Sequence, residues 1–165
     1  MTVFSLRTVK LRPGERYEER IPVELEPLEL GGQIYHPVPA VPEAQLSISR
    51  LGTGTLFELA LDVSIEGPCF RCLEEAAVPV RVKAREYQAS SGDSEELQTP
   101  YVAEGRLDLS SWARDAIALE LPEKILCRED CAGLCAGCGA DLNRDACTCG
   151  PPEPDPRFSK LKELL

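Results

Sequence analysis

The eight cysteines constrain this chain more than any other feature of it. Cys69 and Cys72 form an isolated Cys-x-x-Cys, and Cys127, Cys131, Cys135, Cys138, Cys147 and Cys149 crowd into 23 positions. Thiols paired at one to three intervening residues are spaced as metal ligands. A tight turn presents two thiolates to one ion, and a glycine after the second, here Gly139, can take the positive φ that turns backbone N–H groups toward sulfur. Tetrahedral structural zinc needs two such pairs per ion. Cys135, Cys138, Cys147 and Cys149 make a self-contained set with eight residues between its pairs, which leaves Cys69, Cys72, Cys127 and Cys131 for a long-range set. Only three residues separate Cys131 from Cys135, so an interleaved pairing also fits the spacing. The expectation is two closed zinc sites holding all eight cysteines, each carrying about 10–16 kcal/mol of apparent binding free energy, as much as a whole domain's stability.

Disulfides are the competing use of eight cysteines. No run of 18 apolar residues is present, and Met1 to Leu11 has neither a basic start nor an apolar core. Export and membrane insertion are therefore not expected, and a cytoplasmic location is. In that compartment thiols stay reduced and available to metal. At 165 residues and 43% hydrophobic content, the chain can bury one ordinary core. The expected division is a β-rich body with one helix over residues 1–125 and a cysteine-rich zinc module with a tail over 126–165.

Hydrophobic periodicity fills in the body. Phe57, Leu59, Leu61, Val63 and Ile65 alternate with polar or small residues, as do Val78, Val80, Val82 and Ala84 with Arg81, Lys83 and Arg85, so two half-buried strands are predicted. If they form a hairpin, Cys69 and Cys72 sit at its tip. Ala44, Leu46 and Ile48 mark another strand, and Gly52-Thr53-Gly54 the turn that follows it. Val3 to Val9 reads as an edge strand, and Ile21, Val23 and Leu25 as a further strand that Pro22 restricts to an edge. Gly31-Gly32 is a turn, while Pro37, Pro39 and Pro42 predict an extended connector. Asp108 is placed to cap a helix running to about Leu121, with Leu109, Trp112, Ala113, Ala116 and Ile117 on one face. Ser90 to Gln98 reads as a loop, and Phe158 to Leu165 as a short amphipathic helix after a proline-rich spacer. The fold class expected is α+β: a largely antiparallel sheet, a covering helix and a zinc-bound C-terminal segment.

The ordered set Gly67-Pro68-Cys69-Phe70-Arg71-Cys72-Leu73-Glu74, Leu126-Cys127, Asp130-Cys131-Ala132-Gly133-Leu134-Cys135, Cys138-Gly139-Ala140-Asp141-Leu142-Asn143 and Asp155-Pro156-Arg157-Phe158 with Leu161 resembles the YceD family of large ribosomal RNA subunit accumulation proteins. The resemblance runs from about residue 60 to the C-terminus. It implies a non-enzymatic factor in large ribosomal subunit biogenesis, with a large-subunit ribosomal protein or pre-ribosomal RNA as partner. It supplies no catalytic residue.

Charge bears on that partner. The net charge is −10, and eight thiolates around two divalent ions would take it to about −14. Such a chain suits a basic ribosomal protein better than bare RNA, whose affinity for proteins comes from lysine and arginine displacing counterions. Arg71, Arg81, Lys83 and Arg85, with Phe70 and Tyr87 nearby, form the best basic cluster; cross-strand ion pairs to Glu58, Asp62 and Glu66 are its simpler reading. Enzyme readings find little to stand on. Pro68-Cys69-x-x-Cys72 resembles half of a nucleoside deaminase signature, but the one histidine, His36, precedes Pro37-Val38 and gives no His-x-Glu. Gly52-x-Gly54 lacks the third glycine of a dinucleotide fingerprint. A thiol redox protein using Cys69 and Cys72 is the alternative from another class, and neither a small-molecule substrate nor a membrane is expected.

Overall fold

The computed structural model describes residues 1–90 and 97–150. Its centre is a hairpin of two fifteen-residue strands, β6 (Gly54–Pro68) and β7 (Glu75–Ala89), paired antiparallel from Gly54–Ala89 to Pro68–Glu75. The other edge of β6 is shared: β5 (Glu43–Arg50) pairs with Thr55–Ala60, and β4 (Gln33–Val38) with Ser64–Glu66. β2 (Arg16–Pro22) adds outside β5, and β3 (Leu28–Leu30) outside β4, completing a six-stranded sheet. A second, three-stranded sheet joins β1 (Val3–Ser5), β9 (Arg106–Asp108) and β8 (Val102–Ala103).

Alternation decides which face is buried. Phe57, Leu59, Leu61, Val63 and Ile65 of β6, Val80 and Val82 of β7, and Ala44, Leu46 and Ile48 of β5 all point into one core. The helix α1 (Leu109–Glu120) packs on β7 and covers this face with Leu109, Trp112, Ala113, Ala116 and Ile117, the five residues its periodicity selects. Asp108 caps it: Oδ1 accepts from the Ser111 N–H at 3.0 Å, satisfying one of the orphan donors of the first turn. Tyr101 stacks on Trp112 with ring centroids 6.1 Å apart. The core runs without a break from these residues into Ile125, Cys69, Cys72 and Cys131. Where β4 crosses β6, only glycine fits: a Cβ at Gly67 would lie 2.4 Å from the Tyr35 ring.

Three expectations change, and one pair of strands was not foreseen. The N-terminal strand stops at Ser5, where Leu6–Thr8 turns into a 3-10 helix. The expected strand around Ile21, Val23 and Leu25 instead begins at Arg16 and ends at Pro22; proline is tolerated there because β2 is the sheet edge. The connector expected from Pro37, Pro39 and Pro42 is in part a strand, with Pro37 paired to Ile65; β4 meets β6 over three residues only, and proline costs little at so short and peripheral a ladder. Strands β8 and β9, two and three residues long, are too short to leave a periodic signal. The predicted helix from Phe158 to Leu165, its proline spacer, and most of the Ser90–Gln98 loop lie outside the described residues. His36 is exposed on β4 opposite Glu66, as a surface residue.

Removing Trp112, which is 2% exposed, should cost about 3–5 kcal/mol as Trp112→Ala. Losing the helix cap as Asp108→Ala should cost about 1 kcal/mol. Urea unfolding followed by circular dichroism measures both, and equal losses would contradict the placement of Trp112 in the main core.

Candidate metal centres

The eight thiols gather into two quartets, Cys69/Cys72/Cys127/Cys131 and Cys135/Cys138/Cys147/Cys149, with the four sulfurs of each within 4.8 Å of one another. This is the partition favoured by spacing over the interleaved one. All eight cysteines are free thiols. Cys69 and Cys131 Sγ are 3.8 Å apart and Cys72 and Cys127 Sγ 3.6 Å, while in the second quartet Cys138 and Cys147 are 3.5 Å apart and Cys135 and Cys147 3.2 Å. Sulfurs at the corners of a tetrahedron 2.3 Å from a central ion stand about 3.8 Å apart. A disulfide would need about 2.0 Å. The spacing therefore fits four thiolates around one ion.

The inner quartet is built from two distant segments. Cys69 and Cys72 lie in the turn between β6 and β7, and Cys127 and Cys131 in the chain that leaves α1. The two segments are held in place by backbone: the Phe70 N–H donates to the Ile125 carbonyl at 2.8 Å, and the Leu134 N–H to the Arg71 carbonyl at 3.1 Å. The Arg71 guanidinium donates through Nη1 to the Cys131 carbonyl at 2.7 Å. Gly133, at φ +77°, lets the chain pass against Arg71, where a Cβ would meet the Arg71 carbonyl oxygen at 3.1 Å. Cys69, Cys72 and Cys131 belong to the main core. In the outer quartet Cys138 and Cys149 are exposed.

Both Cys-x-x-Cys turns share one backbone design. Gly139 N–H returns to the Cys135 carbonyl at 2.8 Å, and Leu73 N–H to the Cys69 carbonyl at 3.0 Å. Gly139 takes the left-handed φ of +74° expected for the residue after the second cysteine. Leu73 holds the matching position at φ +63°, a conformation unfavourable to a branched side chain, and is exposed. N–H groups also face sulfur: Arg71 N to Cys69 at 3.5 Å, Gly137 N to Cys135 at 3.4 Å and Cys149 N to Cys147 at 3.3 Å.

Electrostatics sort the thiols. Burial pushes Cys69 up, but backbone N–H groups of Cys72, Cys127 and Arg71 outweigh it and hold the thiol at about 6. Burial and the neighbouring sulfurs of Cys72, Cys131 and Cys69 drive Cys127 to about 12. In the outer quartet the Cys138 N–H, the Cys147 thiol and the Gly137 N–H bring Cys135 down to about 6. Cys147 rises to about 12: the Cys149 N–H stabilises its thiolate, but the sulfurs of Cys135, Cys138 and Cys149 together oppose it. Each quartet thus readily forms one thiolate and resists further charge, the behaviour of a donor set that lacks a cation among like charges.

Spacing did not reveal the residue that links the two quartets. Asn143 Oδ1 accepts from the Ala132 N–H and from Arg128 Nη2, each at 2.8 Å, and its Nδ2 donates to Cys131 Sγ at 3.5 Å. Asp141 Oδ1 orients it by accepting from its backbone N–H at 2.9 Å and from Nδ2 at 2.7 Å. The only local trace is Asp141-Leu142-Asn143, an aspartate that can turn onto its own backbone two residues on. Arg71 leaves the expected basic cluster to serve the inner quartet, while Arg81, Lys83 and Arg85 stay aligned on one face of β7, with Arg81 paired to Asp62 at 2.9 Å and Arg85 to Glu58 at 3.0 Å.

Residues 57–165 match the family described as large ribosomal RNA subunit accumulation protein YceD. An uncharacterised protein of Mycobacterium tuberculosis is 32% identical over 178 aligned residues, covering 100% of this chain and 81% of its own length. An uncharacterised protein of Mycobacterium leprae is 30% identical, covering 99% of this chain and 77% of its own. The chloroplastic large ribosomal RNA subunit accumulation protein YCED homolog 1 of Arabidopsis thaliana is 38% identical over 58 residues, 35% of this chain and 18% of that protein. No solved structure matches the chain. Motif order, the match over the C-terminal two thirds and the likeness of the whole chain to the greater part of the mycobacterial proteins agree, and the chain belongs to the YceD family.

Proposed function

We propose that the chain is a non-enzymatic cytoplasmic factor in large ribosomal subunit biogenesis whose two quartets each hold one structural zinc ion. All-cysteine donor sets suit zinc, and four thiolates complete its coordination, leaving no open position at which water or substrate could be activated. In this reading zinc at the inner quartet ties the 126–150 segment to the body, and the outer quartet is a separate knuckle carried on it. The name carried by the chloroplastic relative of Arabidopsis thaliana and by the family, large ribosomal RNA subunit accumulation protein, supports the ribosomal assignment.

The net charge of −10 carries the partner assignment. A basic ribosomal protein gains from an acidic surface what it otherwise takes from ribosomal RNA, so this chain would shield such a protein and present it to the assembling subunit. The thiol redox alternative is weakened by burial. Cys69 and Cys72 are 0% and 5% exposed and face two further cysteines, whereas exchange with a substrate disulfide requires an accessible thiolate.

Native mass spectrometry of the intact chain should find two zinc ions. Cys149→Ser should retain one ion with the main melting transition little changed. Cys131→Ser should also retain one, but lower Tm by about 10 °C or more, because it opens the site that closes the core. A metal-free wild-type chain, or two ions in either variant, would remove the site assignment. Affinity capture from nuclease-treated lysate should recover a basic large-subunit ribosomal protein at low salt and release it at high salt; recovery unaffected by salt would contradict a charge-based grip.

A further inference from the structure

The outer face of the large sheet has a charge pattern that the quartets do not explain and an overall charge of −10 conceals. Two columns of cations stand on it: Arg16 and Arg20 on β2, and Arg81, Lys83 and Arg85 on β7. The ladder registers place Arg20, Gln45, Ala60 and Lys83 in one row across four strands, and Glu18, Ser47, Glu58 and Arg85 in the next. The floor between the columns is small or neutral along the first row. It forms two adjoining open grooves of about 610 and 520 Å³ that share Gln45, Ala60 and Lys83.

Three observations on this face point to an anion as its ligand. First, among the described residues Arg20 and Lys83 make no ion pair and no side-chain hydrogen bond, although they face each other across the groove. Second, the other cations are held by carboxylates at the surface of the sheet. Arg81 meets Asp62 with both side chains about three-quarters exposed, Arg16 pairs with Glu18 at 2.7 Å, and Arg85 and Arg16 share the half-buried Glu58 at 3.0 and 3.4 Å. A pair as exposed as Arg81–Asp62 contributes little, and its guanidinium can exchange carboxylate for phosphate at small cost. Third, Ser47 lines the groove, is 2% exposed, and its Oγ has no hydrogen-bond partner among the described residues. A buried hydroxyl without a partner is unfavourable, and an oxygen brought in beside Arg16 and Arg85 would satisfy it.

We propose that this sheet face binds the phosphate backbone of an unpaired RNA stretch. Alternate residues on one strand face stand about 6.7 Å apart, so Arg81, Lys83 and Arg85 match successive phosphates of an extended strand, with Arg20 flanking from β2. The floor offers no exposed aromatic ring for base stacking, so recognition is of backbone charge, tolerant of sequence and sensitive to salt. The choice of RNA as the polyanion rests on the ribosome-biogenesis reading; the phosphate chemistry rests on the groove. The two readings combine in one molecule, with acidic surface for a basic protein and this one face for RNA.

Fluorescence anisotropy of the purified, metal-loaded full chain tests the proposal with a labelled mixed-sequence twelve-nucleotide RNA, its duplex, and polyglutamate as competitor. Binding to the single strand should weaken roughly 20-fold between 50 and 200 mM salt, as expected for about three phosphate contacts. The duplex should bind at least severalfold more weakly. Arg20→Glu with Lys83→Glu should reduce affinity about tenfold or more, whereas Lys10→Glu with Arg12→Glu, the same charge change off this face, should reduce it less than about twofold. Ser47→Ala should bind about threefold more weakly while melting no lower than the parent chain. Absence of binding, equal loss in the two double variants, equal affinity for duplex, or displacement of RNA by polyglutamate at matched charge would each overturn the proposal, the last in favour of an acidic peptide. Purified components keep this outcome separate from ribosomal protein capture, and either can fail while the other succeeds.

Discussion

The convergence of Cys69 and Cys72 with Cys127 and Cys131 is the constraint on which the remaining architecture depends. A hairpin of two fifteen-residue strands cannot by itself fix where the chain goes after the covering helix. Here the tip of the hairpin is also the landing site of that chain, through the Phe70–Ile125 and Leu134–Arg71 backbone bonds and the Arg71 side chain. Because three of the four sulfurs lie inside the main core, the sheet, the helix and the cysteine-rich segment share one buried interior. The outer quartet has no such role; it hangs from the inner one through Asn143 and Asp141.

Much of this was legible in the sequence where a physical period exists. Alternation located β5, β6 and β7 and their buried faces, and the 3.6-residue period with Asp108 located α1, because in each the same residues satisfy both local geometry and the core. Cysteine spacing selected the quartets because chelation by a turn is a local property. What escaped was non-local or too short to be periodic. Pro37 in β4 is a strand residue only because β6 offers it a short, peripheral ladder. Strand β9 exists because β1 is there to receive it, and β8 because β9 is. Leu73 occupies a glycine-like conformation because two sulfurs must converge, a demand invisible in its own side chain.

Net charge was an equally partial guide. A value of −10 describes the whole chain and conceals the arrangement of its parts. Of the basic residues singled out at β7, two are satisfied by Asp62 and Glu58, as cross-strand pairing suggests. The third, Lys83, gains its meaning from Arg20, which stands 63 positions earlier and enters the same face through β2 and β5. Only the register brings the two together.

The inner quartet also has a temporal consequence. Its halves are separated by 55 positions between Cys72 and Cys127, and by 62 between Cys69 and Cys131. During synthesis the hairpin is complete at Ala89, 42 residues before Cys131, so its tip holds two sulfurs beside the exposed Phe70 and Leu73 until the closing segment has left the ribosome. The order of residues along the chain thus fixes the order of closure: the inner quartet has its full set of thiols at Cys131 and the outer one only at Cys149, so the thiol tip of each nascent chain is open to oxidants and competing metals before either set is complete.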